Sequence, residues 1–154
     1  MNARRAVSLA VLAAVAVSAS PSHAATKKRK PPIKGAYTVT LMPDPSANVL
    51  STAGQSDMCG ANTAAQDRHA FTVPAAGYFA VTLDAQDPKP GTPYVFDWDV
   101  FLLDANGDSL ADGNSGEAHE EIGAKFKKGQ QVTILSCNLN GVPNAAVSYV
   151  FTYA

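Results

Sequence analysis

Short β-branched segments separated by turn residues run through most of this chain, and they constrain its fold more than any other feature. They lie at 37–42, 69–73, 78–83, 94–103, 109–111, 121–126, 131–137 and 147–153. Turn signals recur about every 8–12 residues, and no segment shows the 3.6-residue periodicity of an amphipathic helix. The pattern predicts an all-β protein, an antiparallel β-sandwich of about eight strands.

The segment from Asp104 to Asp108 reads Asp-Ala-Asn-Gly-Asp and lies between two of these strands. Asn-Gly supplies the positive φ angles that a tight two-residue reversal needs, so it predicts a hairpin turn. The same residues imitate the start of an EF-hand loop. However, Ser109 and Ser115 occupy the positions where that loop requires Gly and Glu.

Residues 1–24 have the layout of a secretory signal peptide. Arg4 and Arg5 precede an uncharged run over 6–19, and Ser22-His23-Ala24 ends in small residues. The run is shorter than the roughly 20 residues that span a bilayer as a helix, which disfavours a retained membrane anchor. We therefore expect a secreted or periplasmic protein with no transmembrane segment after signal removal.

Charge divides the remaining chain into a basic arm and an acidic body. The arm, residues 25–36, carries five basic residues: Lys27, Lys28, Arg29, Lys30 and Lys34. From Gly35 onward five basic residues face thirteen acidic ones, which argues against a nucleic-acid partner. We expect a disordered arm followed by a single β-sandwich domain over 37–154; contact of the arm with a membrane surface or an anionic polymer is the alternative.

Cys59 and Cys137 are the only cysteines. In an exported chain an even cysteine count favours a disulfide, and two sulfurs without clustered histidines do not complete a zinc site. The bridge would tie the irregular region around Cys59 to a strand near the C-terminus.

Four motifs, taken in order, resemble a known family. They are FTVPAAG at 71–77, DWDVFLLDANG at 97–107, a Lys-Gly turn before QVTIL at 131–135, and YVFTY at 149–153. Over residues 68–154 the chain resembles the bacterial pre-peptidase C-terminal (PPC) domain, which is similar to the collagen-binding domains of secreted collagenases. The resemblance implies a jelly-roll-like sandwich and a non-catalytic accessory module; some members are stabilised by calcium and some bind insoluble matrix. We expect no attached catalytic domain, and residues 37–66 have no recognised counterpart in that family.

Acidic residues suggest one metal site. Asp97 and Asp99 are two residues apart on a predicted strand, so their side chains leave the same face. Oxygen ligands converging from a strand and its loops suit Ca²⁺. The candidate calcium ligands are Asp97, Asp99, Asp104, Asp108 and Asp112. The alternative is that they are solvent-facing acids, with Asp104 capping its own turn.

Catalytic patterns are absent from the sequence. His69 and His119 are the only histidines after the signal segment, and neither Gly-x-Ser-x-Gly nor His-Glu-x-x-His occurs. A hydrolase using Asp97 and Asp99 as acid and base would need one carboxyl group with a raised pKa in a pocket. We expect no enzyme and no cofactor apart from calcium.

The aromatic residues allow two interpretations. Trp98 alternates with its acidic neighbours and is expected to pack inward with Phe96 and Val100, whereas exposed tyrosines would form a stacking platform. We therefore expect a secreted binding module that holds an extracellular matrix polymer or an envelope protein along one sheet face. The alternative is a structural or protease-inhibitory protein of the cell envelope, which would show one apolar patch.

Overall fold

The described part of the chain contains eight antiparallel strands. The computed structural model describes residues 29–44, 59, 62–85, 97–115 and 117–154. The strands are β1 (Ile33–Thr40), β2 (Gln66–Thr72), β3 (Gly77–Asp84), β4 (Asp97–Leu103), β5 (Ser109–Gly113), β6 (His119–Phe126), β7 (Gln131–Asn140) and β8 (Asn144–Tyr153). A single 3-10 turn, Thr63–Ala65, precedes β2. No helix in these ranges is long and apolar enough to cross a membrane.

The strands form two sheets of four. The first sheet has the order β1-β8-β3-β6 and the second has the order β2-β7-β4-β5. All neighbouring strands are antiparallel. The pairs β1–β8, β2–β7, β3–β6 and β4–β5 are those of one long antiparallel ribbon rolled into two layers. The structure confirms the predicted antiparallel β-sandwich.

The main core lies between the two sheets. In β3 the residues alternate, so that Phe79, Val81 and Leu83 are buried while Tyr78 is exposed. The Phe71 and Phe79 rings stack across the sheets with centroids 4.5 Å apart. Burying one such side chain contributes about 1.5–3 kcal/mol to folding.

Trp98 is fully buried in this core together with Val100. Its indole N–H donates to the carbonyl oxygen of Val142 at 3.2 Å, which satisfies its only polar atom. The inward orientation agrees with the sequence prediction; the third expected member, Phe96, lies outside the described residues.

A second apolar cluster lies on the outer face of the second sheet, at its two central strands. Strands β4 and β7 are buried on both faces, and their outward side chains gather around the disulfide. The cluster consists of Cys59, Phe101, Leu103, Leu135, Cys137 and Leu139. The bond between Cys59 and Cys137 confirms the predicted bridge. It therefore attaches Cys59 to the outer side of this sheet.

The first strand begins earlier than the sequence analysis predicts. β1 starts at Ile33, so residues 33–36 belong to the sheet and not to the basic arm. Ile33 and Gly35 pair with Phe151 and Tyr149 of β8, while the Lys34 side chain remains exposed. Pairing with β8 thus determines where the strand begins, in spite of the basic residue Lys34 in this segment. The predicted signal peptide and the start of the arm lie outside the described residues.

The turn between β4 and β5 is a hairpin, as predicted, but it contains one positive φ angle and not two. Gly107 has φ of 90°, and no non-glycine residue among those described has a positive φ. The backbone N–H of Gly107 donates to the Asp104 carbonyl at 3.1 Å. A register shift between Leu102 and Leu103 accommodates the longer loop, so the second positive φ is not needed.

Candidate functional site

The structure buries one of the predicted calcium ligands. Asp99 is only 1% exposed and lies opposite Cys137 in the neighbouring strand. Its Oδ2 atom has no hydrogen-bond donor within the described part of the chain. Burial raises the pKa of Asp99 to about 7, and the negative charges of Asp97, Glu120 and Asp112 add to the increase. A carboxyl group with this pKa changes its charge near neutral pH.

The charges of Asp97 and Asp112 act on this buried carboxyl group. Burial also raises the pKa of Asp97, and the charge of Glu120 contributes. Asp112 lies on β5 opposite Phe101, and its charge acts on Asp99. Three of the five predicted ligands therefore share one neighbourhood.

The other two predicted ligands belong to the hairpin turn. The Oδ1 atom of Asp104 accepts the backbone N–H groups of Asn106 at 2.7 Å and Asp108 at 3.0 Å. This is the turn-capping role that the sequence analysis offered as the alternative. Asp104 lies five residue steps beyond Asp99, which corresponds to roughly 16 Å along a strand.

Glu120 is the member of the acidic cluster that sequence reasoning missed. Glu120 is not among the candidate calcium ligands predicted from the sequence, yet it lies in β6 and is 5% exposed. Its Oε1 atom accepts the backbone N–H of Ser115 at 2.8 Å and the Ser115 hydroxyl group. A sequence pattern could have indicated its burial: Glu120 is spaced by even numbers of residues from Ile122 and Phe126, so all three side chains leave the same face of the strand, and all three are buried.

The cluster is not arranged as a metal centre within the described ranges. No group of three His, Cys, Asp or Glu side chains there has a geometry that could hold a metal ion. Calcium binding by Asp97, Asp99 and Asp112 therefore stays a prediction.

Among the residues that the structure describes, the titratable side chains do not assemble into an accessible acid–base pair. Asp99 has the raised pKa that the hydrolase hypothesis requires, but a group only 1% exposed cannot reach a substrate unless its cover moves. His69 stacks on Tyr37 with ring centroids 4.5 Å apart, whereas His119 lies 3.9 Å from Glu121. The two histidines belong to β2 and β6, edge strands of different sheets.

The outer face of the first sheet is accessible along all four strands, and we call it the open face. Its outward side chains are Lys34, Ala36, Thr38, Thr40, Tyr78, Ala80, Thr82, Asp84, His119, Glu121, Gly123, Lys125, Ala146, Ser148, Val150 and Thr152. All are exposed or half-buried. Most are small or hydroxyl-bearing, so the face is low in relief.

Tyr78 is the one aromatic residue of the open face. It is 45% exposed and lies between Thr152 and Lys125 in the cross-strand register. Its phenol ring lies over Gly123, where a Cβ atom would collide with the ring. The glycine therefore lets an exposed aromatic ring rest against the sheet, a geometry that suits stacking.

No protein-family model matches the chain, and no curated protein matches its sequence.

Proposed function

We propose that this protein is an exported, non-catalytic binding module whose open face holds an extracellular polymer or an envelope protein. One observation carries the proposal: the outward side chains of the two sheets differ in their exposure to solvent. On the second sheet the outward side chains of the central strands β4 and β7 are buried around the Cys59–Cys137 disulfide. The first sheet presents all four strands to solvent.

The open face suits an extended ligand. Ala36, Ser148 and Thr82 form one cross-strand row of small side chains, so a polymer chain can approach the sheet closely. Tyr78 provides an aromatic surface on which a sugar ring or a planar side chain can stack. Tyrosine is also among the residues that most often dominate binding energy at interfaces.

Other features support this proposal. The rolled-ribbon pairing of the strands supports the jelly-roll interpretation, and an insoluble matrix is the ligand class that the family resemblance implies. A disulfide is compatible with an oxidising compartment outside the cytosol. Calcium at Asp97, Asp99 and Asp112 does not count among these features, since the described side chains are not grouped to hold a metal ion.

A structural or protease-inhibitory role would call for one contiguous apolar patch. The large exposed apolar side chains of the described residues are Met42, Tyr78 and Leu110, at 61%, 45% and 42% exposure. They lie respectively after β1, on β3 and on β5, so they do not form a single patch. The observations therefore favour the open face over an apolar docking patch.

A retention experiment tests the proposal. The protein without residues 1–24 is applied to insoluble collagen, peptidoglycan, chitin and cellulose, with calcium or with a chelator. We expect retention on one polymer and a loss of at least about fivefold in affinity for Tyr78→Ala. Leu110→Ala removes a similarly exposed apolar side chain from the other sheet and is expected to have no effect.

One outcome would contradict the proposal, and a second would reject its polymer half. Equal affinity of the Tyr78→Ala and Leu110→Ala variants would show that the open face is not the binding surface. Absence of retention on every polymer, in either buffer, would reject polymer binding and leave a protein of the envelope as the partner. Loss of binding with the chelator alone would support the calcium prediction.

A further inference from the structure

A hollow of about 370 Å³ opens beside Tyr78, at the end of the open face where β3 begins and β6 and β8 end. Tyr78, Phe126, Thr152 and Tyr153 contribute to its walls, which are mainly apolar. Its size falls within the range of small-molecule sites, which is roughly 300–1,000 Å³. Because it adjoins the open face, a polymer on that face can place one of its units in the hollow.

Positive charge is concentrated around this hollow. Lys125 is the one charged side chain among the described residues that line it. The ammonium group of Lys30 lies 5.4 Å from the centroid of the Tyr153 ring, a cation–π contact that holds it close to the wall. Lys34 lies on the open face opposite Val150, close to the same end of β8.

The pairing of the strands explains this concentration. Ile33 pairs with Phe151, so β1 starts at the end of β8 and brings the basic arm to the hollow. The acidic side chains of the first sheet lie at the opposite end of β3 and β6, where Asp84 pairs with His119 and Thr82 pairs with Glu121. The open face therefore has a basic end, which contains the aromatic hollow, and an acidic end.

We infer that the hollow binds a sugar ring that carries a carboxylate, as one unit of an acidic polysaccharide laid across the open face. The apolar face of the ring stacks on Tyr78, the hydroxyl group of Thr152 hydrogen-bonds to ring hydroxyls, and Lys125 with Lys30 holds the carboxylate. The rest of the chain follows the small side chains of the face. This inference rests on the proposed function, since it names the ligand class of the same surface.

The charge of the sugar is the property to vary. Isothermal titration compares a short oligogalacturonate with its fully methyl-esterified form, which has the same backbone without the negative charge. A short oligomer avoids the avidity of a long polymer. We expect the acid form to bind about three- to tenfold more tightly than the ester at low salt, and this preference to shrink as salt screens the charges.

Substitutions locate the charge contact. Lys125→Gln is expected to weaken binding of the acid form about three- to fivefold and to leave binding of the ester unchanged. Arg68→Gln is the matched control, because it removes an exposed positive charge from β2 of the other sheet. Tyr78→Ala is expected to weaken both forms equally, since stacking does not depend on the carboxylate.

The outcomes separate this inference from the proposed function. Equal affinity for acid and ester, or equal losses for the Lys125 and Arg68 variants, overturns the carboxylate site and leaves polymer binding intact. If the protein binds neither oligomer but is retained on a neutral insoluble polymer, the carboxylate site is also overturned and polymer binding is also left intact. Failure to bind any polymer overturns both the carboxylate site and polymer binding, and leaves only an envelope protein as the partner.

Discussion

Replacing Asp99 with asparagine tests the most unusual electrostatic feature of the fold. The native carboxyl group is 1% exposed, and its pKa is raised to about 7 by burial and by neighbouring negative charges. In an unfolded chain an aspartate titrates near pH 3.9, as a general reference value. Because the folded-state pKa is the higher one, the protonated group favours folding at low pH, and this contribution is lost as the pH rises from about 4 through about 7.

The magnitude follows from the two pKa values. A difference between about 7 and about 3.9 corresponds to about 4 kcal/mol in the free energy of unfolding. Part of the pKa increase comes from the charges of Asp97, Glu120 and Asp112, which titrate together with Asp99. We therefore expect the free energy of unfolding of the wild type to fall by about 2–4 kcal/mol between pH 4 and pH 8. The Asp99→Asn variant should not show this decrease. This is a large share of the stability of a small domain.

Urea unfolding at a series of pH values measures this difference. Trp98 is the only tryptophan and is fully buried, so its fluorescence reports unfolding directly. The quantity to compare is the pH dependence of each protein, because an asparagine at a buried site carries its own fixed cost of about 1–3 kcal/mol. Asp108→Asn, which removes an exposed carboxyl group from the hairpin turn, serves as the control.

Two results would refute this reasoning. If wild type and Asp99→Asn lose stability in parallel as the pH rises, the Asp99 carboxyl group is not protonated in the folded protein near neutrality. If wild type instead gains stability relative to the variant with rising pH, the carboxylate form has a stabilising partner, and the direction of the pKa shift is wrong.

Two further predictions concern stability. Replacing Cys59 and Cys137 together by alanine opens a loop with a sequence separation of 78, and chain entropy gives an expected loss of about 4.5 kcal/mol in the free energy of unfolding; an unchanged urea midpoint would show that the bridge does not stabilise the fold. Gly35→Ala places a Cβ atom against the Tyr149 ring and is expected to lower the free energy of unfolding by about 1–3 kcal/mol. Ala36→Ser, on the exposed side of the same strand, should leave the thermal midpoint within about 2 °C. Equal midpoints for the two variants would contradict the packing argument.

Sequence reasoning identified the features that depend on neighbouring residues. The alternation of Phe79, Val81 and Leu83 with outward residues is visible in the chain and implies a half-buried strand. The hairpin at Gly107 follows from turn chemistry in the same way. Its second expected positive φ angle was wrong because a register shift in β4 depends on the partner strand.

The acidic residues show where local reasoning stops. Asp97, Asp99 and Asp104 look equivalent in the sequence, yet one is buried and one caps a turn. Glu120 is distant from Asp99 in the chain and acts on it only because β6 contacts β4 across the sandwich. Residue spacing along a single strand cannot predict that contact.

The sequence by itself determined the class of fold, the number of strands, the disulfide pairing of Cys59 with Cys137 and the inward position of Trp98. These depend on short-range alternation, on turn residues and on a cysteine count of two, all of which are local properties. Only the tertiary structure decided where β1 begins, that Asp99 is buried beside Glu120, and which sheet face stays open. Those properties arise from strands that meet across large distances in the chain and from a disulfide that buries outward side chains on one sheet but not on the other.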